Sequence, residues 1–282
     1  MLATTDSVIA VCAGSRERDV FAELGFTNVL ITNLDDRITD EAAFAPFGWS
    51  LQDAQNLSAS DASFDFAFVA DGLHHCSSPH KALLEMYRVS RKGLIAVESR
   101  DNLLMRVATS VGLSPEYELE AVIGNDFKWG GVDNTAIPNH IYRWTESEFK
   151  KTISSFDPSG KHVFRFLYGL NLPFEQAKFK KTNAKFYAVR LTEPLVKAFT
   201  GVFKKQRNTL AMIALKPRLP QDLWPWLTTG REGIELDRAY AGAHFKAPAV
   251  DGGGGLDRRS STTSTRTHKG LLDRQRQASA TT

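Results

Sequence analysis

Over the first hundred residues, short continuous apolar runs alternate with segments of helical periodicity. Ser7 to Ala13 (SVIAVCA) is β-rich and apolar at successive positions, the pattern of a strand covered on both faces. Arg16 to Leu24 predicts a helix closed by Gly25. Asn28 to Leu34 predicts a second strand, Trp49 to Gln52 a short third, and Phe64 to Ala70 a fourth. Pro79 opens a helix with Ala82, Leu83, Met86, Tyr87 and Val89 at helical spacing, and Gly93 breaks it ahead of a fifth strand over Leu94 to Val97. Strand and helix in alternation predict strand-helix-strand units on a largely parallel sheet, an α/β fold.

The second half is less regular. Residues 101 to 111 read as helical, and 113 to 143 as a long irregular segment rich in Gly, Pro, Trp and Tyr. Thr145 is placed to cap a helix running to about Phe156, with Glu148 in the capping-box position. Lys161 to Tyr168 and Thr209 to Leu215 read as strands, with a helix over about Ala184 to Phe203 between them. The chain has no internal repeat.

A length of 282 residues, 42% hydrophobic and 24% charged, is enough for a sizeable core and excludes a disulfide-stapled mini-protein. Two cysteines, Cys12 and Cys76, make no disulfide framework, so a reducing, cytoplasmic setting is expected. The N-terminus has neither a basic region nor an apolar core of a signal peptide, and no run approaches the roughly 20 apolar residues of a transmembrane segment. The net charge of +3 is unevenly spread: residues 1 to 177 balance at −9, 178 to 207 at +8, and the last 35 at +3. That last stretch, residues 248 to 282, has no aromatic side chain and runs through four consecutive glycines and a Ser/Thr tract, which predicts a disordered tail.

Candidate chemistry gathers at the predicted carboxyl ends of the strands, where open α/β sheets bind ligands. The turn after the first strand holds Cys12, Ala13 and Gly14. Gly14 alone falls short of a dinucleotide fingerprint. Asn33 and Asp35 end the second strand, where a carboxylate can accept both hydroxyls of a ribose. Asp53 can accept the exocyclic amine of an adenine, while Ala54 lets the ring lie close. Asp71, Gly72, Leu73, His74 and His75 follow the fourth strand, Gly72 permitting close backbone approach and the imidazoles offering acid or base. Neighbouring side chains are expected to diverge, and no Cys/His/Asp set at metal spacing accompanies the histidines, so no metal is expected.

The run Asp53-Ala54-Gln55-Asn56-Leu57, Ser63-Phe64-Asp65, Leu73-His74-His75, Pro79, Ala82-Leu83, Glu85, Arg88-Val89, Arg91, Gly93 and Glu98 resembles the central signature of class I S-adenosylmethionine-dependent methyltransferases, specifically the small-molecule group that includes ubiquinone- and sugar-modifying enzymes. The resemblance implies a Rossmann-like, doubly wound, seven-stranded, mostly parallel sheet whose last strand is antiparallel. It implies S-adenosylmethionine as cofactor, with the glycine-rich motif falling on Cys12, Ala13 and Gly14, the ribose acid on Asn33 or Asp35, the adenine-side pair on Asp53 and Ala54, and the fourth-strand motif on Asp71 to His75. Two of the usual glycines are replaced by Cys12 and Ala13. The N-terminal helices common in that family do not precede the first strand, so either the chain is a fragment or 113 to 143 covers the cofactor.

The expected organisation is a methyltransferase domain over 1-215, with an active-site cover at 113-143 and a basic helical insertion at 173-204, then an extension over 216-247 and the tail. The expected activity is O-methylation of a sugar-like or other small-molecule acceptor, with His75 or His140 as candidate base and Phe127, Trp129, Tyr142 and Trp144 as a candidate aromatic platform. The rival reading is a binding or scaffold protein that kept this fold and lost the chemistry. A nicotinamide-dependent oxidoreductase is disfavoured by the single glycine. The basic stretch of Lys178, Lys180, Lys181, Lys185, Arg190, Lys197, Lys204, Lys205 and Arg207 reads as a solvated face that would at most touch an anionic surface weakly, and no nucleic-acid recognition motif is present.

Overall fold

The computed structural model describes residues 2–172, 184–231 and 233–246. Seven strands form one sheet: β1 (Val8–Ala10), β2 (Val29–Asn33), β3 (Gly48–Leu51), β4 (Phe64–Ala70), β5 (Ser90–Ser99), β6 (Val163–Gly169) and β7 (Thr209–Leu215). Their order is β3-β2-β1-β4-β5-β7-β6. β1 to β5 pair in parallel, and β7 runs antiparallel to both β5 and β6. This is a Rossmann-like, doubly wound sheet with a reversed last strand.

The apolar runs are continuous because each central strand buries both faces. On β1, Ile9 joins Val69, Leu83, Met86, Leu94, Phe149 and Met212 in one core, while Val8 and Ala10 join Phe21, Val29, Ile31 and Phe66 in the other. Fully burying a side chain of this size contributes roughly 1.5–3 kcal/mol. Helix α1 (Ser15–Glu23) ends at Leu24, and Gly25 follows at φ 76° with the Phe26 N–H donating back to the Phe21 carbonyl at 3.0 Å. Helix α2 (Pro79–Val89) turns Ala82, Leu83, Met86, Tyr87 and Val89 inward. Helix α3 spans Leu103–Ser110 and helix α4 Leu119–Ile123. Helix α5 (Glu146–Phe156) is capped as its sequence predicts, Glu148 N–H donating to Thr145 Oγ1 at 3.1 Å.

Gly93 does not end a helix. It lies inside β5, which begins three residues earlier, and a Cβ there would sit 2.2 Å from the Ala214 carbonyl oxygen. The glycine is therefore read by the close approach of β7, a contact between distant segments.

Helix α6 (Ala184–Val202) carries Pro194 in its interior. Its described outward positions are not only polar: Leu191, Leu195 and Val202 are 82%, 72% and 77% exposed. Lys178, Lys180 and Lys181 of the expected basic face lie outside the described residues, as does the predicted tail from 248 onward.

By internal packing the chain divides into two units. The first comprises the described residues of 1–156 and 163–215; the second comprises 157–162 with the described residues from 216 on. The second contains a hairpin of β8 (Leu227–Gly230) and β9 (Gly233–Leu236), then helix α7 (Arg238–His244), whose N-terminus Asp237 caps through the Ala239 and Tyr240 N–H groups. No described helix is long and apolar enough to cross a membrane.

Candidate active site

Two cavities lie at the carboxyl edge of the sheet in the first unit. One, of about 360 Å³, is lined by the ends of β1 to β4: Cys12, Asn33, Asp35, Asp53, Ala54 and Asp71. Its other wall is Asn125, Gly130, Gly131, Asp133 and Asn134, from the irregular segment between α3 and α5. The second, of about 230 Å³, is predominantly apolar, with Leu104, Met105, Ile141 and Val196 among its walls and Arg143 as its cation. Asp71 lines both.

The first cavity is built by local constraints that the sequence partly announces. Cys12 has a left-handed backbone at φ 51°, the conformation a glycine would adopt without strain. Gly72 packs against it so closely that a Cβ would stand 2.5 Å from Cys12 Cβ. A hydrogen bond with Cys76, then burial, raise the Cys12 thiol pKa well above its ordinary value, so the group is a neutral thiol. The Gly14 N–H, at the start of α1, donates to Glu17 Oε2 at 2.8 Å. The loop bearing Asp53 and Ala54 is braced from α2: Leu57 N–H donates to Glu85, and Arg88 donates to Glu85, Asp61 and the carbonyls of Leu57 and Ala59.

Asp35 receives a two-pronged pair from Arg37, at 2.8 and 2.7 Å, and Arg37 also lies over the Trp129 ring at 4.6 Å. The Arg37 hydrogen bond is the main reason the Asp35 pKa is lowered. The Arg37 backbone N–H also donates to Asp35 Oδ1, at 3.1 Å, so three of a carboxylate's about four acceptor positions are taken by Arg37. Asn33 instead donates through Nδ2 to the Ala13 carbonyl at 3.1 Å, tying β2 to the turn. Asp53, which lines the cavity, accepts the Gln55 backbone N–H through Oδ1 at 2.8 Å. Asp35, Asp53 and Ala54 thus bring two carboxylates and one small residue to the lining of one cavity.

Of the residues singled out by sequence, Cys12, Asn33, Asp35, Asp53, Ala54, Asp71 and His75 line the first cavity. Ala13, Gly14, Gly72 and Leu73 do not; Leu73 is fully buried in the core, and Gly72 acts by its contact with Cys12. His140 is exposed, its ring edge-on to Tyr117 at 5.3 Å, and it lines neither cavity. The aromatic platform is also not assembled. Trp144 is fully buried, Phe127 is 69% exposed, Trp129 faces Arg37, and Tyr142 donates to Glu148. Sequence reasoning missed Arg37, Gln55, Asn125, Asp133 and Asn134. Asp133 Oδ1 accepts from Gln55 Nε2 and from the Ser77 N–H, both at 2.9 Å, and Asn134 Nδ2 donates to the Leu34 carbonyl at 3.3 Å. Positive φ at Asp133 and Asn134 marks that turn, a signal no helical or strand period carries.

The two histidines were expected to diverge, and they do not. A 3-10 turn over Leu73–His75 holds their rings 4.7 Å apart at 34°, and Glu118 of the irregular segment reaches both. Glu98, fully buried at the end of β5, accepts the Gly72 and Leu73 N–H groups through Oε1 and meets His74 Nδ1 through Oε2 at 2.9 Å. Burial opposes charge on His74, yet the Glu118 and Glu98 carboxylates raise its pKa to about 10. Burial likewise opposes charge on Glu118, but His74 outweighs it and brings that carboxyl to about 2. His75 is lowered, first by burial and then by His74. Asp71 is raised, by burial and then by Glu98.

Residues 11–97 match the family model described as a methyltransferase domain. Among curated proteins none matches the sequence. Solved structures with similar folds include a methyltransferase from Thermotoga maritima (15% identity, 76% of this chain and 84% of that one, TM-score 0.44) and one from Methanosarcina mazei (17%, 77% and 94%, 0.44). Another is magnesium protoporphyrin IX methyltransferase from Synechocystis, solved with S-adenosylhomocysteine (12%, 75% and 74%, 0.42).

Proposed function

We infer what this S-adenosylmethionine-dependent methyltransferase, identified by the methyltransferase domain at residues 11–97, methylates: a hydroxyl on a small molecule with an apolar body and one anionic group. The observation that carries the reading is the second cavity, which shares Asp71 with the first, exposes mainly apolar surface and holds Arg143 as its one cation beside neutral polar groups such as Ser114, Asn171 and Gln206. The cofactor would be held by Asp35, Asp53 and Ala54, and when bound it supplies an electrophilic methyl carbon on a sulfonium.

Transfer to an oxygen is an in-line displacement, so the chain's task is alignment, exclusion of water and removal of one proton. Asp71 borders both cavities, and its raised pKa makes it a better proton acceptor than an ordinary carboxylate. His75 borders only the cofactor side, and His140 neither. The proton therefore passes to Asp71 in this reading, with neither histidine acting as the base.

Arg143 supports the anionic half of the proposal. Its Nη2 donates to Ser114 Oγ and the Pro115 carbonyl, Nη1 to the Ile141 carbonyl, and its buried Nε has no partner among the described residues. Burial lowers its pKa against the charges of Asp101 and Glu116, and among the described residues no carboxylate forms an ion pair with it. An acceptor carboxylate would give that cation a direct partner.

Isotopically labelled methyl transfer to hydroxylated aromatic and aliphatic acids, their neutral esters and free sugars tests this. Acids should be preferred, and Arg143→Met should raise KM for the acids at least tenfold while leaving affinity for S-adenosylhomocysteine unchanged. Equal use of acids and esters, or a preference for sugars, overturns the acceptor class. No binding of S-adenosylhomocysteine by the folded chain would instead favour the scaffold reading.

A further inference from the structure

Three nitrogen and oxygen atoms converge beside the cofactor cavity without belonging to its proposed chemistry. His74 Nε2 lies 3.3 Å and His75 Nε2 3.4 Å from Glu118 Oε2, and one ligand atom from each of the three residues lies within 4.8 Å of the others. We propose that His74, His75 and Glu118 form a site for one divalent ion of the zinc class.

The spacing is the first argument. Ligand bonds of about 2.0–2.2 Å in tetrahedral geometry put neighbouring ligand atoms about 3.3–3.5 Å apart. Both separations from Glu118 match that edge.

Support behind the ligands is the second. A ligating imidazole characteristically gives its other ring nitrogen to a carboxylate or backbone carbonyl, which fixes its orientation. His74 has Glu98 on Nδ1 at 2.9 Å, and the His75 ring is hydrogen-bonded to the Gly131 backbone. Asn139, itself buried, donates through Nδ2 to Glu118 Oε2 at 3.3 Å. The two imidazoles are thus held from behind, while Asn139 fixes Glu118 through the ligating oxygen itself.

Charge is the third. Glu98 is fully buried and Glu118 about three-quarters buried, so two carboxylates flank one imidazole and leave the cluster with a net negative charge even when that imidazole is protonated. A dication with two neutral imidazoles brings the cluster to neutrality. Three protein ligands leave a fourth position for water or a substrate oxygen, the pattern of a reactive ion in place of a closed structural one.

The test reads metal binding alone, so its outcome is independent of methyl transfer. The full chain, stripped with a chelator, is titrated with Zn²⁺ by calorimetry and with Co²⁺ by visible absorption, beside His75→Ala and Glu118→Gln variants whose folding is checked by circular dichroism. One equivalent is expected in the parent, with an intense tetrahedral-type Co²⁺ spectrum and at least a hundredfold weaker binding in both variants. Should the variants not fold, an anomalous difference map from Zn²⁺-soaked crystals of the parent replaces them, the expected peak lying between the three ligand atoms. Absence of binding to the folded parent, affinity unchanged in both variants, or a peak elsewhere overturns the site and leaves the cluster as a carboxylate-clamped imidazolium.

Discussion

The contact between Gly72 and Cys12 sets up a coupled pair of substitutions. Adding a methyl group at position 72 puts it 2.5 Å from Cys12 Cβ, 2.9 Å from Val69 Cγ2 and 3.4 Å from Cys12 Sγ. Two of the three contacts come from one side chain. Gly72→Ala should therefore destabilise the fold by about 1–3 kcal/mol, the usual cost of overpacking. Cys12→Gly removes both cysteine contacts and also frees a residue held at φ 51°, a conformation that costs a non-glycine residue roughly 1 kcal/mol. In that background only Val69 Cγ2 must give, so Gly72→Ala should cost less, with a coupling energy of about 1–2 kcal/mol. Urea unfolding of the parent, both single variants and the double variant measures it. Effects that add to within about 0.5 kcal/mol would refute the reasoning, because sites without a shared contact behave that way.

Two further outcomes follow from the polar groups. Asp35→Ala should weaken S-adenosylhomocysteine roughly tenfold to a hundredfold in calorimetry, the value of hydrogen bonds to a charged acceptor, whereas an unchanged Kd would remove Asp35 from the cofactor. Burial alone would raise the Asp65 pKa, but the Ser7 N–H, Arg91 and Lys92 bring it down to about 2. A carboxyl depressed in the folded state stabilises above its unfolded pKa of about 3.9 and loses that contribution as pH falls toward 2, at most about 2 kcal/mol. Asp65→Asn should flatten the urea midpoint between pH 4 and pH 2 relative to the parent; an equally steep loss would contradict the assignment.

What could be read from sequence was whatever has a short period or a local rule. The order of strands and helices to Val97 follows from alternating apolar runs, and Gly25 and Thr145 act where local capping chemistry says they should. The reversed strand did not come from periodicity, since nothing within Thr209 to Leu215 states its direction; that expectation came from the family resemblance. Gly93 was misread because its cause, the Ala214 carbonyl, lies far along the chain. The site divides the same way. Asp35, Asp53 and Asp71 stand at strand ends and were visible as such, whereas Asp133, Asn134 and Glu118 come from an aperiodic segment and acquire partners only through tertiary contacts.

Asp133 reaches across the cofactor cavity to both Gln55 and Ser77, and Asn134 to Leu34, while Arg37 lies against Trp129. These ties join the segment that walls the cavity to the loops that floor it, so that wall moves away only when several of them break together. Their consequence is temporal. The spent cofactor would leave more slowly than the smaller methylated product, giving a rapid first turnover followed by a steady rate set by the opening of this wall.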